Sequence, residues 1–339
     1  MTAHASAVAA EPTLAEIELP DAVRDDLAEE LATLPDPTRD IDWSMSRYHQ
    51  VFARLPVRTL QRMLDFGRHP DTPGVGHLRN LPVDERLPST PRDGRPSPDK
   101  PTYVAEGVLL GLSGLLGEPV GFTTEKNGQL VHDVVPVEGG ATTQTNQGSA
   151  VFLNFHNDIV HDPSGRYDLA SPDFLVLSCL RADHEGVAGT YYADARDICR
   201  ALDDRTLRTL RSPLFRMNAP GSYCRDVAGG AEVLSEPVPM ISGPEAFPEV
   251  SAAANGVRAL DDAARSALDR LQSACREVAH EVLLRPGQAL LINNRKGLHA
   301  RSQFTARYDG QDRWLQRTYV RRNQWDIRHR VAAGHRRVH

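Results

Sequence analysis

A histidine and an aspartate stand two residues apart at the end of an apolar stretch. The stretch runs from Val151 to Asp158 and is typical of a buried β-strand. Because residues i and i+2 of a strand point to the same face, we expect His156 and Asp158 to converge while Asn157 faces away. An imidazole and a carboxylate on one face, joined by a second imidazole from a distant strand, form the ligand set that holds non-haem iron.

The His-x-Asp tripeptide alone is a weak signal. With 13 histidines and 45 acidic residues in 339, such tripeptides arise by chance. A second copy, His69-Pro70-Asp71, lies in a proline-rich segment where a central strand cannot form, and we discard it. The assignment of His156 and Asp158 therefore depends on the rest of the sequence.

A second histidine and two arginines follow near the C-terminal end. A turn and a strand over Gly287–Asn294 lead to His299, the candidate third ligand. In the next predicted strand, the two-residue period places Arg313, Arg317 and Tyr319 on one face. Two guanidinium groups in that position could each hold a carboxylate through paired hydrogen bonds. A solvated strand face is the alternative interpretation of such a pair.

Four sequence blocks, taken in order, resemble the clavaminate synthase family. This family contains iron(II)- and 2-oxoglutarate-dependent oxygenases that act mostly on free amino acids or close derivatives. The resemblance extends from Phe122 to Arg322. Its blocks are His156-Asn157-Asp158, residues 177–185, His299-Ala300-Arg301 and residues 308–317.

The resemblance implies a metal site and two co-substrates. His156, Asp158 and His299 match the three iron(II) ligands of the family, and 2-oxoglutarate and O2 are the expected co-substrates. The sequence departs from the family in one ligand, because Asp158 stands where the family usually has glutamate. We expect this shorter carboxylate to be tolerated, since aspartate is the commoner carboxylate in iron and 2-oxoglutarate oxygenases generally.

The resemblance also assigns residues that hold the organic ligands. Arg313 matches the arginine that binds the distal carboxylate of 2-oxoglutarate, and Thr190 matches a threonine that assists it. Arg317 matches the arginine that takes the substrate's own carboxylate. Glu125 falls near a position that contacts the substrate's amino group, and a surface carboxylate is the alternative interpretation of this residue.

The expected reaction is hydroxylation of an unactivated C–H bond, at the β or γ carbon of a free L-amino acid or close derivative. Specialised-metabolite or antibiotic biosynthesis is the expected setting. Desaturation or cyclisation of the same substrate is one alternative, and a zinc hydrolase or a non-catalytic cupin-like binder is another. Family members that take substrates with cationic side chains have carboxylates in the segment before their longest helix, which we predict here over residues 260–284. Here that segment, Glu249–Ala254, is poor in carboxylates, which weakens an arginine-type substrate.

The elements that must position these residues are mostly short strands. Strands with inserted helices, preceded by further helices, favour a mainly β fold with added helices, a double-stranded β-helix or cupin-like jelly roll. We expect Leu260–Leu284 to be the longest helix. The predicted parts are a disordered start (1–20), a helical elaboration with a proline-rich loop at 69–101 (21–116), the jelly-roll core (117–322) and a basic tail (323–339).

The composition excludes several classes of function. A net charge of −6 argues against a general nucleic-acid binder, and no apolar run approaches the length of a membrane span. The first twenty residues lack the pattern of a secretory signal. Four cysteines without regular spacing indicate free thiols in a reducing cytoplasm. The expected partner is a small-molecule amino acid, with no nucleic acid and no membrane, and the oligomeric state is left open.

Overall fold

The computed structural model describes residues 14–145, 147–158, 171–226, 228–331 and 336–338. The α-helices in these ranges are Asp21–Ala32 (α1), Ile41–Phe52 (α2), Val57–Arg68 (α3), Val104–Leu116 (α4), Ala195–Ala201 (α5), Asp204–Leu210 (α6), Gly221–Asp226 (α7) and Asp262–Val278 (α8). None of these helices is long and apolar enough to cross a bilayer.

The strands form two main sheets and two short ribbons. In chain order they are Leu14–Glu18 (β1), Val75–Arg79 (β2), Glu118–Phe122 (β3), His132–Val134 (β4), Leu153–His156 (β5), Phe174–Arg181 (β6), Gly189–Asp194 (β7), Phe215–Met217 (β8), Ile241–Ser242 (β9), Glu249–Val250 (β10), Val257–Ala259 (β11), His280–Leu283 (β12), Ala289–Asn293 (β13), Gly297–Arg301 (β14), Trp314–Arg321 (β15) and Arg337–Val338 (β16). The chain is therefore mainly β with added helices, as predicted.

The larger sheet has the order β1-β2-β13-β6-β15-β3-β16, with β4 also paired to β15. The smaller sheet has the order β12-β7-β14-β5. Strand β6 is central in the larger sheet and pairs antiparallel with both β13 and β15. Its apolar sequence suits a strand that is buried on both faces.

Alternate residues of β6 belong to different parts of the core. Phe174 and Val176 pack with the N-terminal helices, whereas Leu175 and Leu177 pack with Tyr192 of the smaller sheet. This separation follows from the two-residue period of a strand. The larger sheet thus lies between a helical layer and the smaller sheet. Helix α8 covers the outer face of the smaller sheet.

Helix α4 lies directly against the larger sheet and against α2. Gly111 makes this close approach possible, because a Cβ atom there would lie 2.1 Å from Cε2 of Phe52. Asp84 caps the start of α4 by accepting hydrogen bonds from the backbone N–H groups of Val104 (3.0 Å) and Ala105 (3.1 Å). The helix that supports the sheet is therefore fixed at its N-terminal end and along its buried face.

Strand pairing corrects two predictions about the N-terminal third. The prediction of a disordered start is wrong for Leu14–Glu18, which pairs in parallel with β2, while residues 1–13 lie outside the described ranges. The proline-rich loop expected at 69–101 contains β2, which also pairs antiparallel with β13. Both β1 and β2 form because they pair with strands that are distant in the sequence, and local sequence patterns do not predict such pairing.

Two predictions about the C-terminal third are also corrected. The long helix ends at Val278 instead of Leu284, because residues 280–283 form β12 and pair antiparallel with β7. We expected the basic tail to be solvated and partly disordered, but part of it is packed, since Arg337–Val338 pairs in parallel with β3 and Ile327 is buried. Residues 332–335 and 339 of that tail lie outside the description.

Candidate active site

Two paired strands bring the histidines of the predicted metal triad together. His156 is the last residue of β5, and His299 lies directly opposite it on antiparallel β14. The two imidazole ring centroids are 4.2 Å apart. Asp158 follows β5, and the candidate ligand atoms of all three residues lie within 4.8 Å of one another. The predicted convergence of these side chains is thus present in the structure.

Two buried asparagines hold the backbone beside Asp158. Asn157 faces away from the triad, as predicted, and its side-chain amide donates to the carbonyls of Val250 (2.7 Å) and Asn294 (3.0 Å). Asn294 accepts from the N–H of Asp158 at 3.0 Å and donates to its carbonyl at 2.8 Å. The backbone on both sides of the carboxylate is therefore fixed by side-chain amides.

Burial keeps both histidines of the triad neutral. It lowers the pKa of His156, and burial together with the neighbouring His156 lowers the pKa of His299 to about 3. Nδ1 of His156 donates to the carbonyl of Asn154 at 2.7 Å, because a carbonyl can only accept. Its Nε2 is then unprotonated and offers a lone pair. The buried Nδ1 of His299 has no hydrogen-bond partner in the described part of the chain.

This donor set fits a divalent first-row metal. Two neutral imidazoles and one carboxylate from three chain positions match the ligand set of mononuclear iron sites that keep open positions. The hydrogen bond from Nδ1 of His156 to a backbone carbonyl is the type of contact that fixes the orientation of a metal-binding imidazole. The orphaned nitrogen of His299 also agrees with a site built to bind a ligand.

The triad opens into a cavity of about 520 Å³ between the two sheets. The other four site residues predicted from the sequence line this same cavity: Glu125, Thr190, Arg313 and Arg317. Leu315 lines it as well, so the predicted alternation along β15 is present. The sequence places Arg313 and Arg317 on one predicted strand and Glu125 and Thr190 on other segments, and the fold brings all four into one space.

Arg313 is a buried cation with little compensation from the chain. Its side chain is 5% exposed, and its Nη2 donates to the hydroxyl of Thr190 at a long 3.4 Å. The guanidinium also lies 5.7 Å from the ring centroid of Phe304. Burial lowers the pKa of Arg313, and no carboxylate among the described residues forms an ion pair with it. An anion bound in the cavity would supply the missing charge.

Arg317 is held by several groups of the site. Its Nη1 lies 2.9 Å from Oδ2 of Asp158, and its Nη2 lies 3.8 Å from Oε2 of Glu125. Burial alone would raise the pKa of Asp158, but the charge of Arg317 outweighs burial and holds that pKa below its ordinary value. Arg317 therefore joins the proposed metal carboxylate to the acidic group predicted to meet an ammonium.

Several residues near the site were not singled out from the sequence. Arg301, two positions after His299, lines the cavity, and burial with the charge of Arg313 lowers its pKa to about 10. The two-residue strand period could have identified it. His132 lies beside Arg317 because the two residues are cross-strand partners on β4 and β15. Only knowledge of the strand pairing reveals this neighbour.

Other candidates lie away from the triad. Glu249 is exposed and forms an ion pair with Arg295 at 3.7 Å, so it does not line the cavity. His184 lies 3.3 Å from Asp309 and 3.6 Å from Asp312, a contact between two loops that agrees with a structural role. His161 is five residues past His156, which predicts a loop position for it, and it lies outside the described residues.

Comparison with known proteins identifies the class. Residues 104–319 match the taurine catabolism dioxygenase TauD, TfdA family, and the chain belongs to this family. It is 35% identical to L-asparagine oxygenase of Streptomyces coelicolor over 304 residues, covering 89% of this chain and 86% of that protein. It is also 31% identical to clavaminate synthase 2 of Streptomyces clavuligerus over 305 residues, covering 88% and 90%.

Solved structures agree with this assignment. The structure of asparagine oxygenase with Fe(II), 2S,3S-3-hydroxyasparagine and succinate superposes with a TM-score of 0.83 at 33% identity, covering 95% of this chain and 98% of that one. The non-heme iron oxygenase OrfP with Fe and alpha-ketoglutaric acid gives a TM-score of 0.77 at 27% identity, covering 94% and 97%. The prediction of an iron(II)- and 2-oxoglutarate-dependent oxygenase is confirmed.

Proposed function

We propose that this oxygenase hydroxylates the β or γ carbon of a free L-amino acid or close derivative, in specialised metabolism. The observation that carries the proposal is the buried guanidinium of Arg313, which lacks a carboxylate partner in the described chain and shares one cavity with the triad. A dicarboxylate co-substrate supplies the missing anion. Relatives of the chain support this proposal, since they include an L-asparagine oxygenase, an enduracididine beta-hydroxylase and an L-lysine 3-hydroxylase.

In this proposal His156, Asp158 and His299 hold the iron. When bound, iron together with O2 and 2-oxoglutarate supplies the oxidising power that breaks an unactivated C–H bond. The chain contributes neutral imidazoles that need not lose a proton on binding metal, and a carboxylate kept ionised by Arg317. The asparagines beside Asp158 fix the backbone that carries its side chain.

Arg313 and Thr190 form the proposed site for the distal carboxylate of 2-oxoglutarate. The guanidinium provides two parallel N–H donors, and the threonine hydroxyl provides a third donor next to them. Both side chains are buried, which strengthens their interaction with an anion and excludes water from it.

Arg317 and Glu125 form the proposed site for the amino acid's head group. A positive and a negative group 3.8 Å apart match the carboxylate and the ammonium that every free α-amino acid carries. Held at these two points, the substrate presents its side chain to the remaining cavity. Aiming one C–H bond at the metal is the task that the protein performs.

The cavity favours a neutral substrate side chain. In the segment before α8, Ala253 and Ala254 line the cavity. The carboxylates in the described lining are Glu125 and Asp158, and both already have proposed roles. Asn218 and Asn255 add amide groups, which suit a neutral polar side chain better than a guanidinium or an ammonium.

The two facing sheets and the family support a double-stranded β-helix as the architecture of the core. The four cysteines are free in the structure, and we place the protein in a reducing cytoplasm.

The test is succinate formation from 2-oxoglutarate by anaerobically iron-loaded protein when oxygen is admitted, with and without each free L-amino acid. We expect stimulation by an amino acid with a neutral side chain, and a product heavier by one oxygen atom in mass spectrometry. Stimulation by arginine or lysine instead would contradict the proposed side-chain preference. Turnover that no free amino acid stimulates would contradict a free amino acid as substrate. A product lighter by two hydrogens would replace hydroxylation with desaturation or ring closure.

A further inference from the structure

Two buried residues beside the proposed head-group site have no role so far. Tyr319 and His132 are 2% and 1% exposed, and both contact the pair formed by Arg317 and Glu125. They reach it from different strands, since Tyr319 lies on β15 and His132 on β4. Each forms a hydrogen bond with a different member of the pair, so the effects of these two hydrogen bonds can be separated.

Tyr319 contacts both members of the pair. Its hydroxyl donates to Oε2 of Glu125 at 2.6 Å, a short bond of the type formed with an ionised acceptor. Its ring lies under the guanidinium of Arg317, with 4.5 Å between Cζ and the ring centroid. An ionised Glu125 has acceptors and no donor, so the tyrosine hydroxyl takes up one acceptor position of its carboxylate and fixes the side chain.

His132 contacts Arg317 through a defined tautomer. Its Nε2 lies 2.9 Å from the carbonyl of Gln129, and a carbonyl only accepts, so Nε2 carries the hydrogen. Nδ1 is then unprotonated and accepts from Nη2 of Arg317 at 3.4 Å. The edge of the imidazole also packs at 89° against the ring of Tyr319, with centroids 5.2 Å apart.

We propose that Tyr319 and His132 are positioning residues for the substrate's head group. Tyr319 aims Glu125 at the ammonium, and His132 aims Arg317 at the carboxylate. This inference rests on the proposed function, because it assumes that Glu125 and Arg317 bind a free amino acid. It adds that each residue that recognises a head-group charge is held in place by a second residue, and that these second residues differ.

The first test is the variant Tyr319→Phe, which keeps the ring under Arg317 and removes the hydroxyl. We expect the KM for the amino acid to rise about 10- to 100-fold, the range for a hydrogen bond to a charged group. The value of kcat and the KM for 2-oxoglutarate should stay within about twofold. Tyr48→Phe is the matched control, because Tyr48 is equally buried but lies among the N-terminal helices.

A substrate analogue separates positioning of Glu125 from general damage. The analogue carries hydrogen in place of the amino group, so it cannot use Glu125. Its dissociation constant, measured by calorimetry, should be equal for the wild-type protein and Tyr319→Phe. In a Glu125→Gln background, Tyr319→Phe should add less than about twofold to the KM for the amino acid.

The second test compares His132→Gln with His132→Phe. Glutamine can donate to the carbonyl of Gln129 and accept from Arg317, whereas phenylalanine can do neither. We expect His132→Phe to weaken the amino acid and the analogue alike, by about 5- to 10-fold, and His132→Gln to recover most of this loss. Melting temperatures of both variants show that they are folded.

The outcomes separate this inference from the function on which it rests. Wild-type protein that turns over an amino acid, together with an unchanged KM in Tyr319→Phe, would overturn the inference and leave the proposed function intact. Equal weakening of the amino acid and the analogue by Tyr319→Phe would also overturn it, because the hydroxyl would then act on the whole site. Wild-type protein that no amino acid stimulates would overturn both.

Discussion

The polar side chains on the two faces of strand β15 form different kinds of contact. On the face towards α4, Trp314 and Gln316 donate to Asp133 at 2.7 and 3.2 Å, and Gln316 also donates to Glu106 at 2.8 Å. Glu106 in turn accepts from Lys100 at 2.6 Å. On the face towards the cavity, Arg313 has only the distant hydroxyl of Thr190 as a hydrogen-bond partner in the described chain.

This difference distinguishes a structural network from a binding site. Lys100 is buried, and it bonds to two carboxylates, Asp84 at 2.9 Å and Glu106 at 2.6 Å. The cation on that face is therefore paired with carboxylates of the chain, and the network holds α4 against the sheet. The charge of Arg313 is buried to a similar degree without such a match. Buried charge without a partner in the chain indicates where a ligand belongs.

The largest effect is expected from removing a ligand of the triad. Asp158→Ala should abolish amino-acid-stimulated succinate formation, by at least about 1,000-fold, since the metal loses its anionic ligand. Bound iron, measured by elemental analysis, should fall with it. Asp71→Ala is the control, because Asp71 belongs to the discarded His-x-Asp copy and is exposed. Retained iron and turnover in Asp158→Ala would show that the cavity face is not the metal site.

Breaking the closed network, which is the buried cluster of Lys100, Asp84 and Glu106, should affect stability and not binding. Lys100→Met leaves Asp84 and Glu106 facing each other without their cation, and we expect the free energy of unfolding in urea to fall by about 3–5 kcal/mol. The KM values for 2-oxoglutarate and the amino acid should stay near those of the wild type. A stable Lys100→Met variant with a raised KM would remove the distinction between the two faces of β15.

The matched substitution on the cavity face should weaken binding without reducing stability. Arg313→Met is expected to raise the KM for 2-oxoglutarate about 100-fold, because a paired hydrogen bond to a carboxylate is lost. Without 2-oxoglutarate, the free energy of unfolding should be unchanged or higher, since an uncompensated buried charge has been removed. A large loss of stability in this variant would mean that the chain itself satisfies Arg313.

A smaller effect is expected from acidification of the metal-free protein. Burial holds the pKa of His132 and of His299 at about 3, below the ordinary value of 6.5. The unfolded chain therefore binds protons that the folded chain does not, so stability is complete above pH 6.5 and is lost as the pH falls below it. Between about pH 7.5 and 5.5, each residue should remove about 1 kcal/mol from the free energy of unfolding.

Urea titrations at the two pH values measure this loss. The free energy of unfolding of His132→Gln should depend less on pH than that of the wild-type protein, by the share of His132. A loss of stability that is the same in His132→Gln and in the wild-type protein would contradict a neutral, buried His132.

Local sequence patterns predicted the parts of the site that lie on one strand or next to its end. The two-residue period places His156 near Asp158, and Arg313 on the face of Arg317, because strand geometry repeats whatever the strand pairs with. The contact between Tyr319 and Glu125 spans 194 positions and depends on how β3 and β4 lie beside β15. Nothing in the local sequence of either residue encodes that pairing.

The same limit explains the errors in the fold. Strands β2 and β12 are short, and each is stabilised by pairing with a distant strand. We predicted a proline-rich loop at β2 and the end of a helix at β12. Both predictions failed because pairing with distant strands overrides local preference in short elements. Lys100 and Asp84 lie in that proline-rich segment, so the sequence did not predict the closed network either.

The ion pair between Arg317 and Asp158 bears on how the protein is made in the cell. Small zinc domains stay unfolded until metal arrives, because their ligands have no other partner. Here a guanidinium of the same chain already faces the metal carboxylate at 2.9 Å. We therefore expect synthesis and iron delivery to be separate events. A cell that is short of iron would accumulate folded apoprotein that can be loaded later, without a new round of translation.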